Sequence, residues 1–375
     1  MLLLQTGDIE TDRLEGGTMD SRGRQGRARR ASGRVWALAG ALLLALALQG
    51  LSAPEGREAG AATACDRYAS VKGSDRARGT ASAPFRTVQR LADSLRDGQV
   101  GCLRTGTYTA PDGTVKVRRA GITLRSAPGH RATIKARAYV VAGANRATLK
   151  SLKILGAPGK ANVLVRADRV RLIRNNITNN NRPASCILVG SRANGGIVAS
   201  GTRIRGNRIH HCGELPRSNR HHGIYVSAGR ATSITNNLIY ANANRGIQLY
   251  PDARGSLIKG NIIDGNGEGV LFSGAGPYAS SDNAVKNNVI SNSRRWNVYS
   301  VWNQTSRTGS GNVVSYNCLW ASSANPRYRK NGGISGSNGG FSAHHNVFAR
   351  PLYADRDAGD FRLGRNSNCR KVFGG

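Results

Sequence analysis

The chain has 375 residues, of which 48 are glycine and only 6% are aromatic. Its 55 Lys and Arg residues against 21 Asp and Glu residues give a formal net charge of +34. So little aromatic core argues against an ordinary globular α/β enzyme, and the abundant glycine indicates turns at short intervals. The positive charge attracts polyanions such as acidic polysaccharide, envelope polymer or nucleic acid; a solvated basic surface without a dedicated partner is the alternative.

Residues 1–64 are predicted to be an over-extended start followed by a signal peptide. A basic stretch, Arg22 to Arg34, precedes the apolar run Val35–Leu48, which is shorter than the roughly 20 residues of a membrane span. The small residues 62–64 supply a cleavage site before Cys65. Removal of this leader, with its 8 basic and 7 acidic residues, leaves a net charge of +33. We therefore expect a secreted protein, with an uncleaved N-terminal membrane anchor as the alternative.

Residues 65–106 are predicted to form an N-terminal cap. Within them, Pro84–Asp97 is the segment with clear helical periodicity, with Pro84 in its first turn and Gly98 after its end. The apolar residues that share one face of this helix are Phe85, Val88, Ala92 and Leu95. We expect the helix to cover the open apolar end of the domain that follows.

Residues 107–350 repeat a short unit in which one Asn precedes two apolar residues. The aligned asparagines are Asn176, Asn207, Asn237, Asn261, Asn288, Asn317 and Asn346, which lie 24 to 31 residues apart. A unit of this length cannot bury its own apolar side, so neighbouring units must stack into one core. We predict a solenoid of roughly nine to eleven coils. The asparagines should form one hydrogen-bonded line along its surface, since Asn tolerates left-handed turns.

A second repeated feature is an apolar triplet that alternates inward and outward like a short strand. The triplets are Ile224–Val226, Ile247–Leu249, Val270–Phe272 and, less regularly, Val298–Ser300. Glycine stands directly before each of the first three. The regular spacing predicts that these triplets stack on one another in successive coils.

Six cysteines in an exported chain suggest disulfides. Of the fifteen possible connectivities, the spacing favours Cys65–Cys102, Cys186–Cys212 and Cys318–Cys369. These bridges would brace the cap, a loop in the middle of the solenoid, and the C-terminal tail at 351–375. No pair has the spacing of zinc ligands.

The sequence resembles the bacterial right-handed parallel β-helix family, including its pectate-lyase-like branch of polysaccharide-active proteins, over residues 74–363. The stretches that carry the resemblance are residues 79–89, Gly106–Tyr108, Ile122–Gly129, His222–Val226, Gly246–Pro251 and Gly359–Leu363. The resemblance implies an all-β fold, a right-handed parallel β-helix solenoid with an N-terminal capping helix. It also implies a secreted carbohydrate-active protein, but not which reaction it performs.

The triplet alignment places His222, Arg245 and Glu268 at one register of successive coils, with Tyr225 beside them. We expect these four residues to be catalytic and to lie on the outer face. The expected substrate-binding residues are Arg205, His221, Gln248, Tyr250, Asp252 and Arg254. His210, His211 and Glu214 should approach the same site from the preceding loop. A structural alternative is that His222 and Tyr225 are ladder residues and that Arg245 and Glu268 form an ordinary ion pair.

The favoured reaction is β-elimination by a polysaccharide lyase on a uronate-containing acidic polysaccharide. In such a reaction an arginine neutralises the substrate carboxylate while His222 or Tyr225 transfers protons. A glycoside hydrolase would need two flanking carboxylates, for which Asp252, Asp264 and Glu268 are candidates. A non-catalytic protein that binds glycan or cell envelope is the third alternative.

No cofactor is expected, because the acidic cluster that holds calcium in pectate lyases of this fold is not visible; Ca²⁺ itself stays open. The expected partner is an acidic polysaccharide. Nucleic acid is not expected, since the basic residues form no motif interleaved with aromatics. We expect a monomer that has no membrane contact once the leader is removed.

Overall fold

The computed structural model of the protein describes residues 64–192, 196–302, 306–335 and 338–373. Within them, short strands form three long parallel sheets, which we number in the order in which each turn of the chain visits them. The predicted leader lies outside the described residues, apart from Ala64. No helix in the described part of the chain is long and apolar enough to cross a membrane.

The first sheet has eleven strands in the described residues. They are Arg67–Ala69, Val100–Leu103, Thr123–Ser126, Thr148–Lys150, Arg171–Ile173, Arg203–Arg205, Ser233–Thr235, Leu257–Lys259, Ala284–Lys286, Asn312–Ser315 and Phe341–His344. The second sheet has ten strands in the same part of the chain. They are Gly106–Tyr108, Ala132–Ile134, Lys153–Ile154, Asn176–Ile177, Arg208–His210, Leu238–Tyr240, Ile262–Asp264, Val289–Ser291, Cys318–Trp320 and Val347–Phe348.

The third sheet carries the candidate site, and its described strands also number ten. They are Thr114–Val117, Arg137–Val140, Val163–Val165, Ile187–Val189, Ile224–Val226, Arg245–Leu249, Glu268–Ala275, Tyr278–Ala279, Val298–Trp302 and Ile334–Ser335. Two short pairs lie outside these sheets, Ala199–Ser200 with Gly229–Arg230 and Tyr353–Asp355 with Asp360–Leu363. The helical segments are Val88–Ser94 and the 3₁₀ turns Pro326–Tyr328, Lys330–Gly333 and Asn368–Phe373.

Each turn of the chain visits the first, second and third sheets and then returns to the first. Neighbouring strands in the three sheets belong to successive turns and pair in parallel, except for Tyr278–Ala279, which runs antiparallel to Glu268–Ala275. Nine strands of the third sheet follow this order in the described residues, which gives about nine turns. The prediction of a stacked solenoid of this size is confirmed.

The core is a set of inward-facing columns, one from each sheet. The first-sheet column consists of Leu124, Leu149, Leu172, Ile204, Ile234, Ile258, Val285 and Val314, each at most 1% exposed. A single turn contributes only a few such side chains. The apolar interior therefore exists only when turns stack, as the repeat length predicts.

A ladder of asparagines runs along the turn between the first and second sheets. Its members are Asn175, Asn207, Asn237, Asn261, Asn288, Asn317 and Asn346. From Asn207 onwards, each Oδ1 atom accepts hydrogen bonds from the backbone N–H and the Nδ2 of the ladder residue one turn earlier, at 2.8–3.0 Å. The ladder thus satisfies backbone groups that the turn would otherwise leave buried and unpaired.

Two details of the predicted ladder are wrong. Its first member is Asn175, because Asn176 lies one residue on, in the second sheet. The ladder is also buried inside the turn, not on the surface: Asn261 and Asn288 are 0% exposed. The left-handed geometry belongs to the residue before each ladder Asn, such as Arg174 (φ 53°) and Tyr316 (φ 56°).

The capping helix, Val88–Ser94, is shorter than the predicted Pro84–Asp97. Thr87 caps its N-terminus by accepting a hydrogen bond from the Arg90 N–H, and Leu95 already has extended backbone angles (ψ 151°). Pro84 therefore precedes the helix instead of lying in its first turn. The helix packs on the first strands of the first and third sheets, so it covers the apolar end as expected.

The three disulfides pair the cysteines as predicted. Cys65–Cys102 joins the start of the described chain to the first sheet, and Cys318–Cys369 ties the C-terminal segment to the second sheet. Cys186–Cys212 links the third-sheet strand Ile187–Val189 to the loop that precedes His222.

Candidate active site on the third sheet

The four apolar triplets stack in register on the third sheet, as predicted. Tyr225 pairs with Gln248, Gln248 with Leu271, and Leu271 with Tyr299. The glycine before each of the first three triplets allows close approach of the next turn: a Cβ at Gly223 would lie 2.7 Å from the Gly246 carbonyl oxygen. This tight stacking places the residues just before the triplets on one edge of the sheet.

Glu268 is the centre of the first cluster at this edge. Its side chain is only 3% exposed and lies 3.0 Å from Arg245 Nε, 3.1 Å from Arg217 Nη1 and 3.8 Å from Arg295 Nη1. Tyr299 also donates its hydroxyl hydrogen to Glu268 Oε2. One carboxylate therefore faces three guanidinium groups, so the cluster keeps an excess of positive charge.

Arg245 is held by more than Glu268. Its Nε donates to Tyr299 Oη at 2.8 Å, and its Nη1 donates to Gln248 Oε1 at 2.9 Å and to the Asn219 carbonyl at 3.3 Å. The side chain is 14% exposed. Arg245 is therefore a fixed structural cation, since a substrate carboxylate would have to displace existing partners.

His222 lies beneath the surface of this edge at 1% exposure. Its Nδ1 has no hydrogen-bond partner among the described residues. Burial, reinforced by the charges of Arg245 and His221, holds the pKa of His222 well below its usual value. The imidazole is therefore a neutral base near pH 7. The expectation that the His222 side chain is exposed on the outer face is wrong.

Tyr225 is the half-exposed member of the site. Its ring meets the His222 ring edge-on, with centroids 5.6 Å apart, and stacks on Tyr250 at 6.4 Å. Tyr225 and Tyr250 together present an aromatic surface next to the arginine cluster. Aromatic rings with a polar edge suit contacts with sugars, whose faces are partly apolar.

A second buried carboxylate, Asp252, lies just after the third-sheet strand Arg245–Leu249. It is 0% exposed and accepts hydrogen bonds from Arg192, Arg230 and Arg254, with Nε of Arg192 and Arg254 each at 2.8 Å. Burial by itself raises the pKa of the Asp252 carboxyl, but the three arginines outweigh it and the net direction is down. Asp252 therefore stays ionised and structural.

The structure brings most of the predicted residues together. Tyr225 pairs with Gln248 on the third sheet, and Arg245 pairs with Glu268 at its edge. His222 and Tyr250 both contact the Tyr225 ring, and Asp252 and Arg254 lie beyond the end of the strand Arg245–Leu249. His221 borders the site, 3.6 Å from Glu214. Arg205 is placed elsewhere, on the first sheet.

His210 and His211 do not approach the site. His210 ends a strand of the second sheet, stacks on Tyr240 with centroids 4.9 Å apart, and is hydrogen-bonded to Asn176 Oδ1. The chain turns between Cys212 and His222, so residues on either side of that loop face different directions. The expected convergence of both histidines on the site is wrong.

Sequence reasoning missed five residues of the site, namely Arg192, Arg217, Arg230, Arg295 and Tyr299. Only Tyr299 carried a usable signal, because it occupies the outward position of the fourth triplet and aligns with Leu271. The arginines come from loops or strand ends outside the repeat. No group of three or more His, Cys, Asp or Glu in the described part of the chain is arranged to hold a metal ion.

The sequence of residues 140–348 matches the family model described as the right-handed beta helix region. The chain belongs to the right-handed β-helix family. The handedness of the solenoid follows from this membership, in agreement with the resemblance. No curated protein matches this β-helix chain.

Two solved β-helix structures illustrate the relationship. XylC, solved in complex with xylose, is similar with a TM-score of 0.58 at 13% identity, over 76% of this chain and 70% of XylC. Pectate lyase Pel9A is similar with a TM-score of 0.50 at 12% identity, over 80% of this chain and 90% of the lyase. At such identities the likeness shows the shared fold and not a shared activity.

Proposed function

We propose that this protein is a polysaccharide lyase that cleaves a uronate-containing acidic polysaccharide on the face of the third sheet. The observation that carries the proposal is the half-buried Tyr225, whose ring packs edge-on against the neutral imidazole of His222 beside a cluster of excess positive charge. A pectate lyase and a protein crystallised with xylose share the fold, which is consistent with this proposal.

In the proposed reaction, a base removes the proton alpha to the uronate carboxylate. A carbon–carbon double bond forms, the bond to the glycosidic oxygen breaks, and that oxygen takes up a proton. Tyr225 is the group that reaches the sugar: its phenolate oxygen takes the alpha proton and then, as the phenol, gives that proton to the glycosidic oxygen. The buried imidazole of His222 packs against the Tyr225 ring and holds it in place. The exposed guanidinium of Arg295, whose side chain is 49% exposed, would neutralise the substrate carboxylate, while Arg245 and Glu268 position the site.

A hydrolase is disfavoured by the state of the carboxylates. Glu268 and Asp252 are both buried and each is surrounded by three arginines. Asp264 lies on the second sheet and is bound by Arg356 at 2.6 Å. All three carboxylates are already paired with arginines, so none is placed to give a proton to a glycosidic oxygen, which glycoside hydrolysis requires.

Non-catalytic glycan binding is the second candidate, because Nε and Nη1 of Arg245 already have partners and His222 is buried. Incubation with polygalacturonate, alginate and glycosaminoglycans, followed by the ultraviolet absorbance of unsaturated uronate, separates the two. A lyase produces the absorbance. Binding without absorbance supports the second candidate, and the absence of both rejects both.

The matched variants for this assay are Tyr225→Phe and Tyr139→Phe. Tyr139 occupies the same outward row of the third sheet, three turns earlier, so the substitution is identical but lies outside the site. We expect Tyr225→Phe to lower turnover by about 10²-fold or more with little change in binding, since the ring stacking is kept. Tyr139→Phe should leave turnover unchanged; equal turnover of both variants would contradict the proton-transfer role.

A further inference from the structure

The outward side of the first sheet carries six basic side chains on three successive turns. They are Lys150 on one turn, Arg169, Arg171 and Arg174 on the next, and Arg203 and Arg205 on the third. We call this set the basic face. Among the described residues, none of the six has an ion-pair partner, and no acidic residue lies on the three strands concerned.

The arginines of the third sheet are arranged differently. Those around Glu268 and Asp252 each meet a buried carboxylate and so stabilise the fold. On the basic face, Arg171 pairs in register with Arg203 on the adjacent strand, about 4.8 Å away. Like charges directly opposite each other destabilise a sheet. The arrangement therefore costs stability unless an anion lies across it.

The backbone of the third of these turns leaves room for the arginine stems. A Cβ added at Gly201 would lie 3.4 Å from Cγ of Arg169, and one at Gly206 would lie 3.4 Å from Cγ of Arg174. The aliphatic parts of both arginines thus lie over glycine, at the two edges of the first sheet. The result is a flat strip with guanidinium groups along both edges and the middle.

We propose that the basic face is a binding surface for an extended acidic polysaccharide, separate from the candidate active site. The polymer runs across the strands, along the solenoid axis, so that its repeated carboxylates meet Arg171 and Arg203, which are one strand spacing apart, and Lys150 and Arg205, which are two strand spacings apart. The surface lies on a different sheet from Tyr225 and needs no turnover to bind. It would hold the polymer on the protein between catalytic events.

The side chains of the basic face favour binding of an acidic polysaccharide over binding of single-stranded nucleic acid. The three strands, Thr148–Lys150, Arg171–Ile173 and Arg203–Arg205, contain no aromatic residue. Nucleic-acid strands are usually held by stacking of bases on aromatic side chains in addition to charge. The basic face offers charge alone.

The test compares two triple variants of the mature protein with equal loss of charge. Arg171→Gln, Arg203→Gln and Arg205→Gln remove the centre of the basic face. Three exposed arginines elsewhere, which have no ion-pair partner in the described part of the chain, give the control as Arg96→Gln, Arg327→Gln and Arg365→Gln. Binding to polygalacturonate, alginate and heparin is measured at several salt concentrations, with neutral dextran and duplex DNA as further probes.

We expect the basic-face variant to raise Kd for at least one acidic polysaccharide about tenfold or more, and to reduce the salt slope by up to about three. The control variant should change Kd less than about twofold, because its arginines are scattered. Circular dichroism should match that of the unsubstituted protein, since the altered side chains are exposed, and the thermal midpoint should be equal or higher, because the facing Arg171 and Arg203 charges are removed.

Three results would overturn the proposal. These are equal losses in the two variants, no binding of any acidic polysaccharide by the unsubstituted protein, and a loss confined to duplex DNA. The outcome does not depend on the lyase proposal, because a protein that binds without forming unsaturated uronate still reports on the basic face. Conversely, turnover by the basic-face variant at saturating substrate shows that the active site is intact.

Discussion

Replacement of Glu268 by Gln tests whether the arginine cluster depends on a single buried charge. Gln keeps the volume and can still accept a hydrogen bond from Tyr299. The substitution removes the only carboxylate among the described residues that lies against Arg217, Arg245 and Arg295. Removal of one partner of a buried ion pair costs roughly 3–5 kcal/mol. Arg295 is half-exposed and can turn to water, so we expect a loss of about 3 kcal/mol.

The assay is urea unfolding followed by far-ultraviolet circular dichroism, with the disulfides intact. The control is Asp97→Asn, because Asp97 pairs with Arg146 at 2.6 Å, a shorter distance than any of the Glu268 pairs, but is 59% exposed. An exposed pair contributes at most about 1 kcal/mol. If Glu268→Gln costs no more than Asp97→Asn, burial of the charge is not what makes the cluster important, and the reasoning fails.

Three further predictions concern the ladder, the pH dependence and the central disulfide. Asn261→Ala should lower the free energy of unfolding in urea by about 3–5 kcal/mol, since it leaves the Asn237 N–H and the Ile234 carbonyl unpaired. Asn346→Ala, at the half-buried end of the ladder, should lower it clearly less. Equal losses in the two variants would contradict the stabilising role of the ladder. Burial lowers the pKa of His210 to about 4 and that of His222 in the same direction. Both imidazoles bind protons more readily in the unfolded chain, so the stability that they give the folded protein is present above about pH 6.5 and is lost as the pH falls towards 4. Equal unfolding midpoints at pH 7 and pH 5 would refute this. The double substitution of Cys186 and Cys212 by Ser should lower stability by about 3 kcal/mol, because the bridge closes a loop with a sequence separation of 26 residues. Unchanged thermal unfolding of this double variant would show that the loop is held by other contacts.

The sequence by itself determined the stacking of the solenoid. Because each turn repeats the same inward positions, a fixed offset between triplets predicts the register: residues 224, 247 and 270 pair in the structure as they align in the sequence. The same offset places Arg245 beside Glu268. Residues that are one repeat apart in the sequence therefore lie on neighbouring strands in the structure.

The asparagine ladder shows where prediction from the repeat fails. Asn175 and Asn176 are adjacent, and both fit the repeat, so pattern alone could not choose between them. The structure decides for Asn175, because its side chain points into the turn while Asn176 already belongs to the second sheet. Burial of the ladder likewise depends on the path of the turn and not on residue type.

Around the circumference of each turn, only the tertiary structure decided which residues meet. Arg205 and Tyr225 are close in sequence, but they lie on the first and third sheets. Arg217 reaches Glu268 from a loop outside the repeat. A sequence repeat determines which residues stack, because every turn pairs with the next. The paths of the loops, and which side of the solenoid each residue lies on, depend on tertiary packing, which leaves no periodic pattern in the sequence.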